Sequence, residues 1–229
     1  MALQEQETKE QNDSEITKTK HGIPIDYTYS RPASEERIKT ATESLTRNSF
    51  VVHVVDSPQD ARSLLEKLLP DDKTIFTASS ETVRLSGIDQ LINAPESRFK
   101  SLRQEIVKLD PATQFREQIK MGATPDVVVG SVHAITDDGR VLVGSASGSQ
   151  LGPFSAGAEK VFWIVGSQKL VKDLDDGLRR LDLYSFPMED SRMRDVRDRG
   201  SVLAKILISN REVFPGRTTI IIVREPIGF

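Results

Sequence analysis

The stretch Val161-Phe-Trp-Ile-Val165 decides the fold, because it is the most apolar run in the chain and is only five residues long. A short, continuously apolar run predicts a strand that is buried on both faces, as strands of parallel sheets are. Other short runs of apolar, largely β-branched residues predict further strands at 50–55, 74–78, 127–129, 141–143, 206–208 and 219–223.

Helical patterns lie between these runs. Ser34, followed by Glu35 and Glu36, predicts the start of a helix that continues to about Asn48. Ser57-Pro58 predicts the next start, and helices are also expected at about 96–109, 112–121 and 170–181. Strands that alternate with helices, each strand apolar almost throughout, predict an α/β fold. We expect a mostly parallel sheet flanked by helices on both faces, which makes three layers.

The 229 residues contain no internal repeat and no second break in composition, so we expect one α/β domain over residues 32–229. Residues 1–31 are expected to be a disordered tail and an extended arm, because the first 22 residues offer almost nothing to bury. The alternating Ile23, Ile25, Tyr27 and Tyr29 suit an arm that lies across the domain or docks on a neighbouring subunit. A partly ordered linker explains the same residues, and a homo-oligomer stays an open alternative.

Composition excludes several classes of function. The chain has no cysteine, which excludes disulfides, iron–sulfur clusters, thiolate zinc sites and a cysteine nucleophile. None of its three histidines has a partner at metal-binding spacing, so neither a metal nor a cofactor is expected. A net charge of −3 argues against nucleic acid as a partner, and the mixed charges at 191–199 suit a solvated face. No apolar stretch or signal peptide indicates a membrane, so we expect a cytoplasmic location.

Four Gly/Ser-rich segments follow predicted strands, at 77–82, 130–133, 144–150 and 166–169. Ligands of open α/β sheets bind at the carboxyl ends of the strands. Glycine lets the backbone approach a ligand, and hydroxyls suit a phosphate or carboxylate. No segment matches the P-loop or the GxGxxG pattern. The candidate ligand-binding residues are Ser79, Ser80, Thr82, Gly130, Ser131, Ser147, Gly148, Ser149, Gln150, Gly166 and Lys169.

His133 is the candidate catalytic residue, because it is the one histidine in such a segment and could act as a general acid or base. A histidine that only hydrogen-bonds the backbone is the alternative. Glu81, Asp137 and Asp138 are candidate carboxylates, although a turn explains the last two. Lys169 could pair with an anion or begin a helix that faces solvent.

Several motifs together resemble the LUD domain, the lactate-utilisation family. They are Gly130-Ser-Val-His-Ala-Ile-Thr-Asp-Asp-Gly139, Lys160-Val-Phe-Trp-Ile-Val-Gly166 and Lys169-Leu-Val-Lys-Asp-Leu-Asp175, and the resemblance spans roughly residues 35–229. It is strongest to the branch with an Ala-Ile-Thr-(Glu/Asp)-Asp-Gly segment. The resemblance implies the fold of ribose-5-phosphate isomerase, glucosamine-6-phosphate deaminase and the CoA transferases. It also implies sugar phosphates, CoA thioesters or folates as ligands, and iron–sulfur subunits of a lactate-oxidation system as partners.

Two positions depart from that branch. His133 stands where the branch has Asn, and Gly148-Ser149-Gln150 stands where it has Gly-Asn-Arg, which removes a cation. We therefore expect a LUD-type protein that binds a small anionic ligand, a carboxylate, sugar phosphate or thioester, at its Gly/Ser loops without a redox centre of its own. The alternative is a non-catalytic subunit or regulator that acts through protein association. Whether the chain is an enzyme stays open.

Overall fold

The computed structural model describes residues 16–229, which form twelve β-strands and eight α-helices. The strands are β1 (Ile16–Lys18), β2 (Pro24–Asp26), β3 (Val51–Val55), β4 (Thr74–Thr77), β5 (Lys100–Ser101), β6 (Val127–Gly130), β7 (Ala134–Thr136), β8 (Val141–Ser145), β9 (Lys160–Gly166), β10 (Leu170–Val171), β11 (Lys205–Ser209) and β12 (Thr218–Val223). The helices are α1 (Glu35–Arg47), α2 (Pro58–Leu68), α3 (Glu81–Leu85), α4 (Ile88–Asn93), α5 (Leu102–Ile106), α6 (Phe115–Ala123), α7 (Leu174–Arg180) and α8 (Phe186–Arg197).

The main sheet has six strands in the order β3-β12-β9-β6-β4-β5, and every neighbouring pair is parallel. Strand β9, which contains the most apolar run, pairs with β12 on one side and β6 on the other. Its side chains alternate between the two faces of the sheet. Trp163 packs into one core cluster, and Phe162 and Ile164 pack into the other. The sheet is therefore buried on both faces, and the predicted α/β class is confirmed.

Each face of this sheet carries a different layer. Apolar residues of α2, α3 and α4 pack on one face, among them Leu65, Val83 and Ile92. The opposite face packs against α1 and a second sheet, through residues such as Leu45 and Val143. This arrangement is a three-layer α/β fold. None of the helices within residues 16–229 combines the length and the apolar character needed to cross a bilayer.

The second sheet corrects one expectation. The runs at 141–143 and 206–208 were expected in the mostly parallel sheet, but they lie in a four-stranded sheet of order β10-β7-β8-β11. Strand β8 pairs antiparallel with both β7 and β11. The reason is the turn at 137–140, where Gly139 has a φ of 82° and its N–H bonds to Thr136 O at 2.8 Å. Such a tight turn reverses the chain and pairs β8 with β7.

Three predicted helices begin later than expected, and the one expected at about 112–121 is α6, which begins at Phe115. Helix α7 begins at Leu174 because Leu170 and Val171 pair with β7, and because the Asp173 carboxylate accepts a capping bond from Asp176 N at 2.9 Å. The helix expected at about 96–109 is reduced to α5, since Lys100 and Ser101 pair with β4 as a strand. The helices predicted from Ser34 and Ser57 are confirmed, and both serines cap through their side chains.

Of the predicted tail and arm, residues 1–31, the first fifteen lie outside the described residues. Strands β1 and β2 form an antiparallel pair, and Ile25 is fully buried. Beyond β2, Tyr27 meets the Tyr184 ring edge-on at 6.3 Å between centroids, and Tyr29 Oη donates a hydrogen bond to Asp176 at 2.8 Å. The chain from Pro24 to Ser30 thus packs against α7 and the π-helical segment Leu181–Ser185 that follows it. A division between arm and domain at residue 32 stays a prediction.

Candidate functional site

A cleft of about 760 Å³ opens at the edge of the main sheet where β4, β6 and β9 end. These strands are parallel, so their carboxyl ends meet at one edge. The segment after β8 and one side of α8 complete the walls. The cleft is lined by eight of the candidate residues: Ser79, Ser80, Ser131, His133, Ser147, Ser149, Gln150 and Lys169.

Lys169 forms the floor of the cleft and is 1% exposed. Its Nζ donates to Thr82 Oγ1 at 2.9 Å, to Ser131 Oγ at 3.0 Å and to Val132 O at 3.0 Å. All three acceptors are neutral, and no described carboxylate forms an ion pair with this amine. Burial, with a smaller contribution from the positive charge of Arg180, holds the pKa of Lys169 well below its usual value. The floor is therefore a buried amine without an ionic partner among the described residues, and its burial disfavours the charged form.

Arg180 is a second cation beneath the cleft, and it is completely buried. Its Nη1 donates to His133 O and to Ser185 Oγ, and its Nε donates to Gln168 O at 3.2 Å. Its Nη2 is buried and has no hydrogen-bond partner among the described residues. Burial lowers the pKa of Arg180 to about 10, so the guanidinium is charged at neutral pH. Two buried basic side chains thus lie behind the same surface.

His133 presents one ring nitrogen to the backbone. Gly144 N donates to His133 Nδ1 at 3.0 Å, so in the neutral ring the proton is on Nε2. No described residue hydrogen-bonds Nε2. Burial, and then the charges of Lys169 and Arg180, lower the pKa of His133 from 6.5 to about 3. At neutral pH the ring is an uncharged Nε2–H donor on the cleft wall.

Hydroxyl groups make up much of the remaining polar wall. Ser79 Oγ accepts from Arg103 Nη2 at 3.2 Å, and Ser80 caps α3. In the segment after β8, the Ser147 and Ser149 hydroxyls lie 3.1 Å apart. Gln150 Oε1 accepts from Ser145 Oγ at 3.1 Å, which fixes the amide on this segment. These groups can rotate to donate to a ligand oxygen.

Three of the other candidates do not line the cleft but support residues that do. Thr82 supports Lys169 from below. A Cβ at Gly130 would lie 2.6 Å from the Phe154 ring, so this glycine admits the ring under the cleft. Gly148 has a φ of 85°, which favours glycine at the turn that brings Ser149 and Gln150 to the cleft.

Gly166, the remaining candidate, packs against the C-terminal segment. A Cβ there would lie 2.6 Å from Ile227 N and 2.2 Å from Gln168 Oε1. We expect Gly166→Ala to lower the free energy of unfolding by about 1–3 kcal/mol, because the backbone must shift. Gly152→Ala is the matched control, since nothing lies within 4 Å of that Cβ. Urea denaturation of both variants is the measurement, and equal stabilities would contradict the packing role.

The three candidate carboxylates do not lie in one place. Glu81 lines the cleft, where it forms a bidentate ion pair with Arg84 at 2.8–3.1 Å. Asp137 and Asp138 lie in the turn after β7 and do not line the cleft. Burial raises the pKa of Asp137. The Asp138 carboxylate accepts hydrogen bonds from Arg140 and from the Thr136 hydroxyl. The turn interpretation of these two residues agrees with their positions.

Sequence reasoning missed most of the charged lining. The cationic side chains that line the cleft within residues 16–229 are Arg84, Arg103, Lys169, Arg192 and Arg197, and the anionic ones are Glu81, Asp89 and Glu189. Arg103 donates to Thr77 O at 2.7 Å and has no carboxylate partner among the described residues, and burial lowers its pKa. The cationic excess suits an anion. No group of three or more His, Asp or Glu within residues 16–229 could hold a metal ion.

Comparisons with known proteins agree with this fold. A DUF162 family protein from Deinococcus radiodurans, solved by crystallography, is 14% identical and superposes with a TM-score of 0.50. The match covers 84% of this chain and 99% of that one. No curated protein matches this chain significantly. The LUD domain profile matches residues 38–223, from α1 to the last residue of β12. The chain belongs to the LUD domain family.

Proposed function

We propose that this LUD-domain chain binds a small organic anion in the cleft, with the anionic group over Lys169 and beside His133, and that it has no redox centre of its own. The observation that carries the proposal is the buried Lys169 amine, which has only neutral partners. The ligand class is a carboxylate, a sugar phosphate or a thioester.

The hydrogen bonds around Lys169 suit its charged form. Ser131 Oγ donates to Ile164 O at 2.6 Å and Thr82 Oγ1 donates to Ile227 O at 3.2 Å, so both hydroxyl protons are already used. Both oxygens therefore accept from the amine. An amine that donates three hydrogen bonds carries three protons, which is its charged form. A buried charge costs free energy unless an opposite charge accompanies it. An anion in the cleft supplies that opposite charge.

Neutral donors can orient the anion. His133 offers an Nε2–H without a protein partner, and the Ser147 and Ser149 hydroxyls are exposed or half-buried on the opposite segment. Because the pKa of His133 is about 3, its ring is a hydrogen-bond donor at neutral pH and a poor general base. The arrangement favours binding and polarisation of a carboxylate or carbonyl oxygen over proton transfer by this histidine.

A thermal-shift screen tests the proposal. The purified chain is heated with lactate, pyruvate, sugar phosphates, CoA thioesters and folates, each at a range of concentrations. Each acid is paired with its neutral ester or amide as the control. A ligand of the folded state stabilises it by about 2.7 kcal/mol at a hundred times its Kd. We expect at least one anion to raise Tm while its neutral partner does not.

Association with other proteins is the second candidate function, with iron–sulfur subunits as the proposed partners. Its support is an apolar surface near the end of the second sheet. Ile206 and Ile208 on the edge strand β11 are 41% and 38% exposed, and the nearby Val213 and Phe214 are 73% and 68% exposed. Large exposed apolar side chains in one region favour a protein partner. No shift with any anion from a folded sample would favour this candidate.

A further inference from the structure

We propose that the ligand is an amphipathic anion larger than a three-carbon acid: its charged head lies over Lys169, and its apolar body lies along α8. The proposal rests on the proposed function and adds the class of ligand. Its basis is that the cleft is polar at the floor and apolar along one side.

The apolar side of the cleft consists of Phe186, Met193 and Val196 on α8 with Val202 and Leu203 after it, and we call it the apolar wall. Val196 is 61% exposed and Val202 is 58% exposed. Both valines line the cleft. Apolar side chains that face a cleft without being covered indicate a binding surface for an apolar group.

Hydrogen bonds hold the second half of the apolar wall, Val202 and Leu203, next to α8. The Asp190 carboxylate, 3% exposed, accepts from Arg194 Nε at 2.7 Å and from Ser201 N at 2.6 Å. A Cβ at Gly200 would lie 2.3 Å from Asp190 Oδ1. Glycine at this position therefore lets the chain approach Asp190 closely, and that contact places Val202 and Leu203 beside the helix.

The size of the cleft excludes a three-carbon acid as a ligand that fills it. Its volume is about 760 Å³, within the range of roughly 300–1,000 Å³ for pockets that enclose drug-sized ligands. Lactate on Lys169 would leave the apolar wall exposed to water. An apolar body on the acid would cover the wall, and burial of apolar surface increases affinity.

Charge along the wall favours an apolar body over a second anionic group. Arg192 forms a bidentate pair with Glu189 at 2.7–2.8 Å, and Arg84 forms one with Glu81. These two arginines have carboxylate partners, in contrast to Lys169. Among the described lining residues, Lys169, Arg103 and Arg197 have no carboxylate partner, and the part of the wall beside the two ion pairs is the place for apolar groups.

Calorimetry with straight-chain acids tests the inference. The series is acetate, butanoate, hexanoate and octanoate, with the primary alcohols of equal length as controls for the head. We expect Kd of the acids to fall about three- to fourfold per added methylene, since a buried methylene contributes about 0.8 kcal/mol. The alcohols are expected to bind at least tenfold more weakly than the acids.

A double valine variant and a control variant test whether the hydrocarbon chain of the ligand lies on the apolar wall. The double variant Val196→Ser/Val202→Ser is expected to raise the Kd of octanoate about tenfold and to leave that of acetate unchanged. Val213→Ser is the control, because Val213 is exposed and does not line the cleft. Equal Kd values for all acids, or no effect of the double variant on octanoate, would overturn the inference and leave the proposed function standing. If no acid binds, or if alcohols bind as tightly as acids, the inference also fails, and the thermal-shift screen with sugar phosphates and CoA thioesters then decides the proposed function.

Discussion

Replacing Lys169 by methionine is expected to weaken binding of the anionic ligand by about a hundredfold or more. Methionine keeps the length and apolar stem of lysine and removes the charge. Losing one partner of a buried charge pair costs about 2–5 kcal/mol, and each 1.4 kcal/mol is a factor of ten in Kd. The measurement is isothermal titration calorimetry with the strongest anion from the screen.

Stability controls separate lost binding from lost folding. In Lys169→Met the hydroxyls of Thr82 and Ser131 lose a donor, but an unneutralised buried charge is also removed. We therefore expect the free energy of unfolding without ligand to change by less than about 2 kcal/mol. Lys73→Met is the matched control, since the Lys73 side chain is 40% exposed and pairs with Glu159. Unchanged affinity in a folded Lys169→Met protein would contradict the proposed site.

Replacing His133 by asparagine is expected to protect the protein against acid. The pKa of His133 is 6.5 in the unfolded chain and about 3 in the folded protein, so the unfolded state binds the proton more readily. Stability is therefore lost as the pH falls from 6.5 towards 3, by up to about 1.4 kcal/mol per pH unit. Between pH 7 and 4.5 this loss amounts to about 3 kcal/mol. The asparagine variant lacks it, and its Oδ1 can accept the Gly144 N–H.

Urea denaturation of both proteins at pH 7 and pH 4.5 is the measurement. At pH 7 we expect the two free energies of unfolding to agree within about 1 kcal/mol, since both side chains are neutral. The carboxylates titrate in the same way in both proteins, so their contribution to the change in the free energy of unfolding cancels in the comparison. If the wild type and His133→Asn lose equal stability between the two pH values, His133 takes up a proton in the folded protein, and its role as a neutral donor is wrong.

The main sheet could be predicted from sequence because each of its central strands is a continuous apolar run. The run from Val161 to Val165 places apolar side chains on both faces of the sheet. Such a run is typical of a strand that is covered on both sides. The second sheet could not be predicted in the same way. The run at 206–208 has the same composition, yet it pairs antiparallel with β8 on an exposed edge. An apolar run predicts a strand, whereas the burial of that strand and its partner depend on tertiary contacts.

The candidate site was predictable where it follows strand ends. Lys169, His133 and the serines were candidates because their segments come directly after predicted strands, and eight of these candidates line one cleft. Arg180, which is buried, and Arg103, which is half-buried, were missed because charged residues are mostly exposed, so the sequence gives no signal for these positions. The apolar wall was missed for a related reason: Val196 lies in a run of mixed charges that suited a solvated face.

The buried, unneutralised Lys169 also has a consequence for the amount of protein in a cell. If the folded chain is stabilised by its anion, the fraction that is unfolded at any moment rises when the anion becomes scarce. Proteases remove unfolded chains continuously, and a change of 1–2 kcal/mol alters abundance several-fold. We therefore expect the cellular level of this protein to follow the concentration of its ligand, without any change in its synthesis.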